Sequence, residues 1–248
     1  MPKPFIGIPF LNRPDLLGEV IEAFEGDNHV FVVNNNSVDA EINQYFSDLT
    51  QQFGLDSYSA RTNLGVAASW NRIVMRAIGL GYEYIYIGSN DTVLNDGVLQ
   101  EFVEMEKSET DCLWKLNHFN FFCLHKRFID RVGWFDENFY PAYYEDNDFV
   151  YRCVLAGLGV VDAPPEMLAK THHKVSQTIN SDPVYAAGNR HTFNQWNATH
   201  YRMKWGGMPG AEKFTTPYGK PNHDHRWWGD PQGSIAHRDW DKDRGRIR

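Results

Sequence analysis

The sequence predicts an α/β fold, a mostly parallel β-sheet with helices on its faces, followed by an irregular C-terminal flap. Three observations predict it. Short runs rich in β-branched and aromatic residues alternate with segments of 3.6-residue apolar period over roughly the first 95 residues. Polar clusters stand where each of three apolar strands would end. Beyond Pro164 and Pro165 the periodicity gives way to His, Trp, Gly and Pro, with seven of the ten histidines in that part.

Phe5 to Pro9 reads as the first strand, and Pro14 opens a helix that keeps Leu16, Leu17, Val20, Ile21 and Phe24 on one face. "HVFVV" (29–33) is the second strand, followed by "NNNSVD". Residues 39–53 form a weaker helix, and "LDSYSA" is a third strand. Gly65 starts a helix through Val66, Trp70, Ile73, Val74 and Ala77, and "YEYIYIG" is the fourth strand. A helix near 97–106 leads to two further strands, "DCLWKL" and "NFFCLH". A short helix over 126–132 precedes "GWFDENFYPAYYEDNDF" and a helix ending near Gly157.

A chain of 248 residues suits one sizeable domain, or one domain with an appendage, and 42% hydrophobic content fills its core. No run approaches the roughly 20 apolar residues of a membrane-spanning helix. "MPKPFIGIPF" enters a strand directly, without the features of a signal peptide. Cys112, Cys123 and Cys153 are few and far apart, which suggests neither a disulfide framework nor a zinc knuckle and points to a reducing cytoplasm. A net charge of −8 argues against tight non-specific binding to duplex nucleic acid, which depends on phosphate neutralisation.

Ligands of an open parallel sheet bind beyond the carboxyl ends of its strands. "FLNRPD", "NNNSVD" and "GSNDT" all fall on that rim. Neither GxGxxG nor GxxxxGK[ST] occurs, which disfavours a dinucleotide fold and a P-loop. Asp91, delivered by a buried strand, suits a hard divalent cation shared with a diphosphate; its alternative role is to cap the turn before "LNDG". Glu145, Asp146 and Asp148 crowd the start of a helix, where the macrodipole favours negative charge. Crowded carboxylates in an aromatic cleft also raise a pKa, as a general base requires. His172 and His173 in "THHKVSQT" offer one imidazole for a metal and one for packing. "NHDHRWW" (222–228) reads as flap packing, and "NAT" at 197–199 matches a glycosylation acceptor that has no meaning without secretion.

These stretches together resemble the inverting family-2 glycosyltransferases of GT-A fold, particularly the rhamnosyltransferase-like branch. The likeness runs from about residue 4 to 178 through "IPFLNRPDLL", "VVNNNSVD", "NLGVAASWNRIV", "IGSNDTVL", "GWFDENFYPAYYEDNDFVYR" and "THHKVSQT". It implies a Rossmann-like, mixed, mostly parallel sheet. It also implies a nucleotide-sugar-binding and catalytic domain over 1–178 and an extension over 179–248 packing on the acceptor side.

By this resemblance Pro9, Asn12 and Arg13 lie at the nucleoside end of a nucleoside-diphosphate sugar, with Asn34 and Asp39 beside the base or ribose. Arg61, Asn63, Gly65, Asn71 and Asn90 shape the donor pocket. "SND" takes the place of the family's DxD, so Asp91 would hold Mn²⁺ or Mg²⁺, approached by His173 or His172. Asp146 would be the base toward a glycan or other acceptor hydroxyl, with Glu145 orienting it. Trp196, Tyr201 and Trp205 are candidates for stacking on sugar and excluding water. Two departures stand out. Asn34 replaces the family's usual Asp, which leaves UDP-, dTDP- and GDP-sugars open, and Ser89 replaces the first acid of DxD. The competing readings are an inactive sugar-nucleotide- or glycan-binding protein on the same fold and a transferase acting on a modified nucleic-acid base. A nucleotidyltransferase ranks low, because no Gly-rich loop follows the first strand.

Overall fold

The computed structural model describes residues 3–24, 28–35, 39–95, 97–105, 112–173, 177–181, 183–188 and 194–223. The chain begins β1 (Phe5–Phe10), α1 (Pro14–Glu22), β2 (His29–Asn34), α2 (Ala40–Phe53), β3 (Asp56–Ser59), α3 (Gly65–Gly79) and β4 (Tyr84–Gly88). It continues through β5 (Thr92–Leu94), α4 (Val98–Glu104), β6 (Cys112–Asn117), β7 (Phe121–His125), α5 (Arg127–Val132) and α6 (Glu145–Leu155). The last part is β8 (Gly159–Asp162), α7 (Pro165–Leu168), β9 (Thr171–His173), α8 (Gln177–Ser181), α9 (Pro183–Gly188) and α10 (Asn194–Trp205).

Seven strands form one sheet in the order β3-β2-β1-β4-β7-β6-β8. The pairs β3-β2, β2-β1, β1-β4 and β6-β8 are parallel, while β7 runs antiparallel to both β4 and β6. The expected mixed, mostly parallel sheet flanked by helices is therefore present. Side chains alternate across it. Ile6, Ile8, Val30, Val32 and Tyr86 pack with Leu17 and Val20 of α1 and Phe102 of α4. On the other face Phe5, Phe31, Val33, Ile85 and Ile87 pack with Ile73 and Val74 of α3 and Phe149 of α6. At Gly7 a Cβ would stand 2.0 Å from the Ile73 Cγ2, so glycine allows α3 to lie directly on the central strand.

The C-terminal part is more regular than the sequence suggested. α10 is a 12-residue helix, and Tyr201, Lys204 and Trp205 on it are fully buried. Tyr201 and Trp205 pack with Phe139, so they belong to the core and are not open to stack on a sugar, contrary to the expectation. Their apolar period is masked in the sequence by Asn197, His200 and Lys204, which this face also buries or half-buries. A second, two-stranded sheet joins β5 and β9. Among the described residues no helix is long and apolar enough to cross a membrane. "NHDHRWW" lies largely outside the described residues, as does the middle of "NNNSVD".

Candidate active site

A cleft of about 360 Å³ opens beyond the carboxyl ends of β1 and β4, within the range of small-molecule sites. Its lining comes from two sources. Pro9 from β1, Asn35 after β2, Asn63 and Gly65 at the start of α3, and Ser89, Asn90 and Asp91 after β4 form the strand-end part. The other part is Pro141–Tyr143 with Glu145 and Asp146, and His118–Asn120 from the β6–β7 turn lie beside it.

β4 ends at Gly88, and the next amide still bonds in register with the strand beside it: Ser89 N donates to Asn120 O at 2.7 Å. The Ser89 and Thr92 hydroxyls lie 2.8 Å apart, and Thr178 donates to Asn90 Oδ1 at 3.1 Å. Asp91 is only 5% exposed, and its charge acts on the Arg13 guanidinium, which is itself paired with Asp15. β9 pairs antiparallel with β5 and sets His173 opposite Thr92 and the exposed His172 opposite Val93. The "TVL" and "THH" stretches thus meet in space, although the His173 side chain lies outside the described residues.

Glu145 and Asp146 start α6, with Tyr144 as its N-cap at φ 72° and Tyr143 before it at φ 82°. Two successive non-glycine residues in the left-handed region swing the chain so that both acids line the cleft. Burial pushes the Glu145 carboxyl well above its ordinary value, and the neighbouring Asp146 charge adds to the shift. Burial also raises Asp146, but the amide of Asn147, Lys115 and His118 oppose the rise. The third acid of the cluster behaves differently. Asp148 is fully buried, pairs with Arg152 and Lys204 at 2.7–2.8 Å, and accepts a hydrogen bond from Trp205 Nε1.

Asn63 Nδ2, Asn90 Nδ2 and Glu145 Oε2 are buried without a hydrogen-bond partner among the described residues. All three belong to residues that line the cleft. A buried polar atom left unsatisfied costs about 1–3 kcal/mol, so a cluster of them at one cavity marks a place where a polar ligand completes the bonding.

Other predicted donor residues lie off the cleft lining. Asn34 donates to Asn43 Oδ1 on α2 at 3.1 Å, and it is the next residue, Asn35, that reaches the cleft. Asp39 caps α2 by accepting from the amides of Glu41 and Ile42. Arg61 is exposed. Asn71 joins α3 to the segment before the acids, exchanging hydrogen bonds with the Phe135 backbone at 2.9 Å each way. Asn12 follows β1 with φ 55°. Sequence reasoning missed Asn35, His118, Phe119, Trp70 and Thr178. His118 and Phe119 fall between the two expected strands "DCLWKL" and "NFFCLH", and Trp70 stood only on the apolar face of its helix.

A divalent cation fits the strand-end part through one buried carboxylate, Asp91, with the neutral oxygens of Ser89 and Asn90 nearby in sequence. Among the described residues no group of three His, Cys, Asp or Glu side chains converges as a metal cage. Such a donor set suits a hard ion that fills most of its shell with phosphate and water oxygens.

No protein-family model matches the chain. A galactofuranosyl glycosyltransferase of Leishmania donovani is 44% identical over 61 residues, which is 23% of this chain and 14% of that protein. The fold has broader likenesses. The GalNAc-T7 structure with UDP, GalNAc and Mn²⁺ matches with a TM-score of 0.60 at 8% identity, over 82% of this chain and 48% of that one. The mannosyltransferase PcManGT from Pyrobaculum calidifontis, solved with GDP-Man and Mn²⁺, matches with a TM-score of 0.54 at 14% identity, over 65% and 55%. S. aureus TarS matches with a TM-score of 0.52 at 15% identity, over 75% and 39%. The chain therefore has the architecture of GT-A glycosyltransferases, while spanning about half or less of these structures.

Proposed function

We infer that the protein is a metal-dependent, inverting glycosyltransferase that moves a sugar from a nucleoside-diphosphate sugar to an acceptor hydroxyl, such as that of a glycan. The observation that carries this reading is the single cleft on which Asp91 and the Glu145–Asp146 pair converge, with unsatisfied polar atoms from both sides. Pro9, Asn35, Asn63 and Asn90 take the donor, and Asp91 holds Mn²⁺ or Mg²⁺ against its diphosphate. When bound, the ion neutralises charge growing on the leaving nucleoside diphosphate.

The two acids then divide the work. Burial disfavours the anion at both acids, and more strongly at Glu145, which also feels the Asp146 charge. Glu145 keeps its proton and orients the acceptor, while Asp146 stays ionised and removes the proton from the attacking hydroxyl. A single displacement from the face away from the diphosphate inverts the anomeric carbon, the same geometry that inverting glycosidases use. Residues 1–178 carry donor binding and catalysis, and 179–248 pack on the acceptor side. The cytoplasm is the compartment of this reading, in keeping with three cysteines that form no disulfide. The acceptor class, the sugar and the rhamnosyltransferase-like branch belong to the same proposal.

The test is nucleoside-diphosphate release from a panel of UDP-, dTDP- and GDP-sugars with Mn²⁺, beside Asp91→Ala and Asp146→Ala. Turnover of one donor, abolished in both variants, supports the reading. A donor that binds the cleft but is never transferred to any hydroxyl acceptor replaces it with the binding-protein reading.

A further inference from the structure

The segment that carries the two acids is held from outside by a helix some fifty residues further along the chain. Asn197 on α10 is 3% exposed, and its Nδ2 donates to Tyr140 O at 3.3 Å, Ala142 O at 2.8 Å and Tyr143 O at 3.2 Å. The carbonyl between them, Pro141 O, accepts from Val66 N of α3 at 2.8 Å, and Tyr144 O accepts from Asp148 N. Every backbone carbonyl from 140 to 144 is therefore partnered, and one side-chain amide serves three of the five.

Two turns along the same helix face, Lys204 Nζ lies 2.7 Å from both Asp136 Oδ2 and Asp148 Oδ1. These carboxylates bracket the segment at its two ends, and all three groups are fully buried. Burial alone would raise the Asp136 carboxyl, but the Lys204 ammonium and His200 beside it hold it well below its ordinary range. An apolar side chain in place of the amide would leave three buried carbonyls without this donor, and one in place of the ammonium would take the counter-charge from two buried carboxylates, so both side chains do more than fill space.

We propose that α10 is a clamp that presets the catalytic geometry, with Asn197 as a positioning residue for Glu145 and Asp146. This rests on the glycosyltransferase reading of the cleft. The left-handed backbone at Tyr143 and Tyr144 has no glycine to make it easy, so it persists only while the carbonyls around it are held. Released, the segment relaxes and the acids leave the position in which they meet the acceptor. The strand-end part of the cleft takes no bond from Asn197; it meets the segment at Val66 N–Pro141 O, a bond that α10 does not make, and keeps its donor affinity. The buried amide also gives "NAT" a structural purpose: in the folded chain Asn197 Nδ2 is occupied by carbonyls.

The experiment compares the full chain with Asn197→Ala, and with Met203→Ala as a control at an exposed position of the same helix. Asn197→Ala is expected to lower kcat about a hundredfold, the effect of displacing a reacting group by around an ångström. Nucleoside-diphosphate affinity should stay within about twofold, and Met203→Ala should match the parent. Equal loss of kcat and affinity, or an unchanged kcat in a folded variant, overturns the proposal. Asn197→Ser, which keeps one donor, is expected to fall between the two and serves if the alanine variant does not fold. Amide exchange over 142–148, measured without donor, should speed up in Asn197→Ala alone. A parent enzyme that turns over no donor sinks the transferase reading, and the exchange data then still decide whether Asn197 holds the segment.

Discussion

The two parts of the cleft are built in opposite ways. The strand-end part is made by regular structure: β1 and β4 run parallel, end side by side, and deliver Pro9 and Ser89–Asp91 to one rim. The acid-bearing part is irregular chain from Gly133 to Tyr144, set in place by side chains from α3 and α10. The first position is a consequence of the sheet and is as stable as the sheet. The second depends on a few polar contacts between residues distant in sequence. A site for binding can be inherited from a sheet, whereas a base placed against an acceptor needs its own supports.

The sharpest way to break this comparison is Asp146→Asn. Loss of the proposed general base predicts a fall of about 10²–10⁴-fold in kcat with donor affinity retained, read by steady-state transfer and by calorimetry with the nucleoside diphosphate. Loss of donor binding in that variant would mean the two parts are not separate in function. Next in size is Lys204→Met. It takes the ammonium from two buried carboxylates, leaving Asp136 with Asn138 and His200 and Asp148 with Arg152 and Trp205, and should cost about 3–5 kcal/mol in urea unfolding. A near-neutral result would show that the clamp is dispensable to the fold.

Gly65→Ala probes the point where the two parts touch. Gly65 has φ +77°, and a Cβ there would stand 2.9 Å from Pro141 O and from the Tyr140 ring. The substitution should destabilise by about 1–3 kcal/mol. It should also reduce kcat, because the segment must move to admit the methyl group. The smallest expected effect is a gain. The raised Glu145 carboxyl holds its proton more tightly folded than unfolded, so its stabilisation is complete below its ordinary value of 4.5 and is lost as pH rises through the folded value. Glu145→Gln removes that loss. Its melting temperature at neutral pH should rise on the order of 2–4 °C, the change about 1 kcal/mol makes in a chain of this size. The gain should shrink toward pH 4.5, and transfer activity should fall.

The sequence by itself determined six strands of the main sheet, most of the helices and the strand-end half of the cleft, but not the short strands β5, β8 and β9. Apolar alternation and the 3.6 period are local, and a parallel sheet places its strand ends, and so Asp91, on one rim whatever the side chains beyond it do. It also marked Glu145 and Asp146 as acids too crowded to be incidental. It could not separate them from Asp148, because the three differ only in where the left-handed turn at Tyr143 and Tyr144 and the Lys204 ammonium direct them. Nor could it distinguish Asn34 from Asn35, where one residue of strand register decides which side chain faces α2 and which the cleft. Tyr201 and Trp205 looked like a flap for sugars and proved to be core. Their partners Phe139 and Asp148 lie about sixty residues earlier, and contacts at that separation exist only once the chain has folded.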